Sequence, residues 1–128
     1  MADSPIPSRS NRDVYYSIRA RGHIPRYLPF SRLSLLMRDG TVSVGLGDSE
    51  LKIDGAFLRS LGYLIDVEQF FHRTTIVKAL EESGVVMVNS LESLLRTRNK
   101  AETLALLAKH KVPIPETVST ESLLTAYN

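Results

Sequence analysis

Apolar positions change their spacing along this chain, and each change predicts an element. "LSLLM" and "TVSVGL" are short apolar runs on either side of Asp39-Gly40. Two such runs about an Asp-Gly pair predict a β-hairpin, because a type I′ turn needs positive φ at both central residues. "GAFLRS" then reads as a buried strand. From Asp66 to about Ser83 the apolar spacing turns helical, with Val67, Phe70, Phe71, Val77 and Leu80 on one face. Asp66 and Gln69 have the spacing of a capping box, and Gly84 supplies the stop. "VVMV" (85–88) follows, wholly apolar, as in parallel strands with both faces covered. Strand, long helix and short apolar strand make a βαβ unit. The expected fold is therefore α/β, with a small, mostly parallel sheet flanked by helices and a β-hairpin.

The two ends are less regular. Ser4 to Ser10 holds two prolines and one aliphatic, Ile6, and reads as an unpaired tail or a vestigial edge strand. Asn11 can cap a short helix running to Arg21 and stopped by Gly22, with Val14, Tyr15 and Ile18 on one side. "HIPRYLPF" reads as extended, since Pro25 and Pro29 each push the preceding residue out of the helical region. After "VVMV", Asn89 and Ser90 can start a helical turn carrying Leu91, Leu94 and Leu95. In "RNKAETLALLAKHKVPIPET", Asn99 can cap another helix with Glu102 at the reciprocal position, Leu104 and Leu107 inward, fading near His110 and Lys111. "VPIPETV" is then extended and "STESLL" opens a last helix.

Composition narrows the class. With 128 residues the chain suits one domain, and 43% hydrophobic with 23% charged residues is the balance of a soluble globular protein. Zero cysteines exclude a disulfide scaffold, a thiolate metal site and a cysteine nucleophile. "MADSPIPSRS" has no apolar signal core and no run is long enough to span a membrane, so a cytoplasmic protein is the default expectation. The net charge of +2 is unevenly spread: residues 1–38 hold seven arginines against two aspartates, a net of +5 that leaves −3 for the rest. Such a basic segment can bind phosphate or an acidic partner. The pattern argues against nucleic acid, because no aromatic residues alternate with the basic ones as a stacking platform requires.

Candidate chemistry is sparse. Arg59 ends the "GAFLRS" strand, and open α/β sheets hold ligands at that carboxyl edge, where a guanidinium can grip a substrate carboxylate or simply pair locally. Asn89 and Ser90 end the next strand, either as substrate contacts or as helix caps. His23, His72 and His110 have no metal-ligand spacing, "GLGD" (45–48) is turn chemistry, and no Walker-type lysine or nucleophile elbow occurs. No metal ligand and no catalytic residue is predicted within the chain.

One stretch, "VMVNSLESLLRTRNKAETLALLAKHKVPIPETVST" (86–120), resembles the junction of RimK-type ATP-grasp ligases. The matching features are a strand ending in Asn-Ser, a short helix, an Asn-Lys pair, a leucine helix and a Pro-x-Pro-x-Thr strand. The resemblance extends upstream through "GAFLRSLGYLIDVEQFFHRTTIVKALEESG" and, more loosely, to "RARGH". In detail it is nearest to ligases that add L-glutamate to archaeal cofactors such as tetrahydromethanopterin. It implies three parts: residues 1–88 as a pre-ATP-grasp α/β domain, 89–112 as a helical linker, and 113–128 as the start of a nucleotide-binding subdomain. It also implies ATP and magnesium as cofactors, bound mainly by a downstream ATP-grasp domain. The partners implied are a carboxylate-bearing small molecule or protein tail and an amino acid.

Within that likeness Lys100 corresponds to the lysine that reaches the nucleotide phosphates. A cation in the first turn of a helix costs about 0.3–1 kcal/mol against the helix dipole, tolerable if it faces a polyphosphate. Two departures stand out: "SPIPS" occupies the place of the family's hydrophobic first strand, and the pair is Asn-Lys where Asp-Lys is commoner. The glycine-rich loop, second lysine, adenine pocket and magnesium carboxylates of the family fall beyond Asn128. The expectation is therefore the leading portion of an ATP-dependent carboxylate–amine ligase, inactive by itself. The alternative is a stand-alone α/β binding or interaction module. Self-association stays open under both.

Overall fold

The computed structural model describes residues 1–2 and 4–127. They form α1 (Arg9–Ala20), β1 (Leu33–Arg38), β2 (Thr41–Leu46), β3 (Ser49–Glu50), β4 (Gly55–Phe57), α2 (Val67–Glu82), β5 (Val86–Val88), α3 (Leu91–Arg98), α4 (Lys100–Lys109) and α5 (Leu123–Tyr127). Two compact units divide the chain, Met1–Leu91 and Glu92–Asn128. The fold is mixed α/β, with an antiparallel β1–β2–β3 sheet and a parallel β4–β5 pair.

In the first unit the hairpin forms as the Asp-Gly pair demands. Arg38 pairs with Thr41, and the two residues between them take φ of 52° and 74°. The hairpin buries Leu33 and Val44 and packs against α2, whose Ile76, Val77 and Leu80 complete the core with Phe30, Leu58 and Leu61. The start of α2 is fixed locally: Asp66 Oδ1 accepts from the Gln69 amide at 2.7 Å. Its buried face is rotated from the expected one. Val67 and Phe71 are exposed, whereas Ile76 is fully buried beside the expected Val77 and Leu80.

The parallel pair is the βαβ unit, β4 joined to β5 through α2, with Phe57 opposite Val88. It is wider than its named strands suggest. The Met1 nitrogen donates to the Phe57 carbonyl at 2.6 Å, and the Arg59 amide donates to the Met1 carbonyl at 3.0 Å. On the other side the Ala2 amide donates to Leu28 (3.2 Å) and the Phe30 amide to Ala2 (3.0 Å), a parallel bridge. The parallel layer thus runs residues 28–30, residues 1–2, β4, β5. Of the two readings of Ser4–Ser10, the vestigial edge strand does not form there, residues 4–8 being unpaired and α1 starting at Arg9. The strand's role falls to Met1 and Ala2, whereas Ser4 to Ile6 form a bend in which the Ser4 hydroxyl bonds to Ile6.

Two further expectations need correction. α1 begins three residues early, because Ser8, not Asn11, is its cap and accepts from the Asn11 amide. β5 is not covered on both faces: Val86 is 67% and Val88 45% exposed, and in β4 Phe57 is 42% exposed. "GAFLRS" accordingly buries Leu58 more fully than any of its other residues.

In the second unit, α4 is capped by Asn99, whose Oδ1 accepts from the Glu102 amide at 3.1 Å while its Nδ2 donates to the Glu102 carboxylate at 3.3 Å. Leu104 and Leu107 are half-buried. Residues 112–120 form no strand pairing, and the last helix, α5, is a single short turn.

Candidate functional site

Parallel pairing decides which predicted residues meet. Phe57 and Val88 are in register, and the Leu58 amide extends the ladder to the Val88 carbonyl at 2.6 Å. Arg59 leaves β4, and Asn89 and Ser90 leave β5, at the same carboxyl edge. Arg59 follows a central strand, with residues 1–2 on one flank and β5 on the other.

The Arg59 guanidinium is exposed but held. Nε donates to Asn11 Oδ1 at 3.2 Å and Nη2 to Ser10 Oγ at 3.4 Å, both in the first turn of α1. Among the described residues no carboxylate pairs with it. The partners described for Arg59 are therefore neutral. Beside it the Met1 amine is pushed down to about 6 by burial, and secondarily by the Arg59 charge.

Two supports of this edge escaped the sequence reading. Glu81 of α2 accepts the Leu91 amide at 2.8 Å, placing a carboxylate at the start of α3 and fixing the half-turn that carries Asn89 and Ser90. Arg73 donates to the Leu61 carbonyl at 2.7 Å and lies 5.5 Å from the Phe30 ring centre, so it ties the loop after Arg59 to the core. Arg73 and Glu81 stand one helical turn or less from the core positions Ile76, Val77 and Leu80, a spacing that places them on the inward face. That was the available signal.

Lys100 belongs to the second unit. It is the first residue of α4 and its side chain is exposed. The carboxylates close to it in sequence are engaged by another cation: Arg96 pairs with Glu92 at 2.7 Å and lies 3.7 Å from Glu102. Among the described residues no carboxylate pairs with Lys100, which stands at a helix start.

No protein-family model matches the chain. A stretch of 54 residues is 39% identical to the tetrahydromethanopterin:alpha-L-glutamate ligase of Methanosarcina acetivorans, covering 42% of this chain and 17% of that enzyme. The match thus takes in about a sixth of the relative's length, as a local likeness between this chain and a glutamate ligase.

Proposed function

We propose that the chain is the leading portion of an ATP-dependent carboxylate–amine ligase that joins L-glutamate, or a similar amino acid, to a carboxylate through an acyl phosphate. The observation that carries this reading is the local identity to a glutamate ligase. Two features of the molecule support it. Lys100 is an exposed cation, without a carboxylate partner among the described residues, set where a helix dipole disfavours it, which suits a polyphosphate ligand. Arg59 holds a guanidinium whose described partners are neutral at the carboxyl edge of a parallel sheet, which suits a substrate carboxylate.

The residues of this chain would bind and orient rather than react. ATP and magnesium supply the activation of the carboxylate to an acyl phosphate. Lys100 would neutralise phosphate charge, and Arg59, with Asn89 and Ser90 beside it, would hold the acceptor carboxylate. The test uses the protein encoded by the whole reading frame that contains these residues. Lys100→Ala is expected to lower nucleotide affinity or turnover at least tenfold, with the thermal midpoint unchanged because the side chain is exposed. A variant with wild-type kinetics, or a reading frame with no ATP-grasp continuation, sinks the ligase reading.

A further inference from the structure

The uncovered face of the parallel pair is the feature that the ligase reading leaves unexplained. Gly55 and Phe57 of β4 and Val86 and Val88 of β5 point to one side, since they are in register and two residues apart. On that side α1 presents Val14, Tyr15 and Ile18, which are only half-buried, and no residue of α1 is fully buried. Between helix and sheet lies a half-open cavity of about 1140 Å³, lined entirely by residues of the first unit. Parallel sheets are ordinarily covered on both faces. An open slot over two valines and a phenylalanine therefore calls for an occupant.

Charge identifies the kind. Among the described residues the lining holds four charged side chains of positive sign, Arg21, Arg26, Lys52 and Arg59, against two carboxylates, Asp13 and Asp54, a surplus of positive charge above an apolar floor. A second copy of the chain is a poor cover. A two-fold interface would bring this cationic rim against its own image. We propose that the cavity binds a flat, largely apolar organic anion, its body lying on Val86 and Val88 and its acidic group at Arg21 and Arg26. The volume is that of a pocket for one small molecule rather than a macromolecular footprint. The inference shares Arg59 with the ligase reading as a lining residue but does not rest on that reading, because the acidic group is placed at Arg21 and Arg26 and neither Lys100 nor nucleotide enters it.

The test compares two dyes with one aromatic body, 1-anilinonaphthalene-8-sulfonate and the uncharged N-phenyl-1-naphthylamine, titrated by fluorescence into the full chain at physiological salt. The expected result is one sulfonate dye per chain, bound at least tenfold more tightly than the neutral dye. Val86→Glu, at a position solvent already reaches, should weaken both at least tenfold. The double variant Arg21→Ala/Arg26→Ala should weaken the sulfonate at least fivefold and leave the neutral dye unchanged. Circular dichroism checks the fold of each variant, and the double arginine variant, altering two exposed side chains, decides the matter if Val86→Glu misfolds. Equal affinity for the two dyes, or sulfonate binding indifferent to the arginines, overturns the proposal. So does a concentration-dependent dimer, seen by sedimentation, that dissolves in Val86→Glu.

Discussion

The two units are held by different physics. Met1–Leu91 has a core in which Leu61, Ile76 and Val77 are fully removed from solvent, drawn from a loop and a helix and packed under a hairpin far away in sequence. Glu92–Asn128 has no fully buried residue among those whose burial is described, and its order comes from neighbours a few residues apart. The Asn99 cap, the Glu92–Arg96 pair and the Thr103 hydroxyl bonded to the Arg96 carbonyl are of that kind. Burial of one large aliphatic contributes about 1.5–3 kcal/mol, whereas an exposed ion pair contributes about 0–1. Short helices without a buried face are marginal in water. The comparison teaches that the first unit is a self-sufficient core, and that the second is a preorganised segment whose stability depends on local bonds.

The sharpest way to break this contrast is a matched pair of leucine truncations. Leu61→Ala should cost about 3 kcal/mol in urea unfolding followed at 222 nm, because it empties a fully buried site. Leu104→Ala should cost less than about 1 kcal/mol, because it is half-buried on a helix with no core beneath. Equal losses would show that the second unit has a core of its own.

A smaller effect tests the first unit at its edge. The Met1 amine titrates near 8.0 when free and about 6 when folded, so below 6 it is protonated in both states. Between those values only the unfolded chain keeps the proton, so stability rises with pH through that window and is complete above 8.0. The gain should be about 2 kcal/mol, read as a shift of the denaturation midpoint between pH 5.5 and pH 8.5 in the same buffer series. Acetylating the amine should abolish the slope, and a persistent slope would place its origin elsewhere. The smallest effect belongs to the second unit: Asn99→Ala should cost about 1 kcal/mol of local helix stability, visible as faster amide exchange at Glu102 and Thr103 with the first unit unchanged. Slowing or loss of protection in α2 would mean that the two units unfold together.

How much of this was legible in the sequence follows from the range of each interaction. The Asp39-Gly40 turn, the Asp66 cap with its Gln69 amide and the Asn99–Glu102 box are decided by two to four consecutive residues. The start of α1 was misplaced because Ser8, Ser10 and Asn11 are all competent caps, and only the backbone path shows that Ser8 serves while Ser10 and Asn11 turn to Arg59. The face of α2 was read correctly at Val77 and Leu80 and wrongly at Val67 and Phe71, because Phe71 and Ile76 are both apolar and only what packs against the helix selects between them. That Arg59 follows a central strand was legible from strand order. Its supports, Arg73 and Glu81, read as ordinary helix charges until the loop and α3 are brought to them.

By itself the sequence determined the α/β class, the hairpin, the capped helices and the exposed lysine, since turns and caps are satisfied by groups covalently close at hand. Tertiary structure alone decided that Met1 and Ala2 bridge β4 to residues 28–30, that Arg59 has only neutral partners among the described residues, and that one face of the parallel pair stays open under α1. Burial and charge balance are properties of what is brought against a residue from distant parts of the chain, and no short window of sequence contains that information.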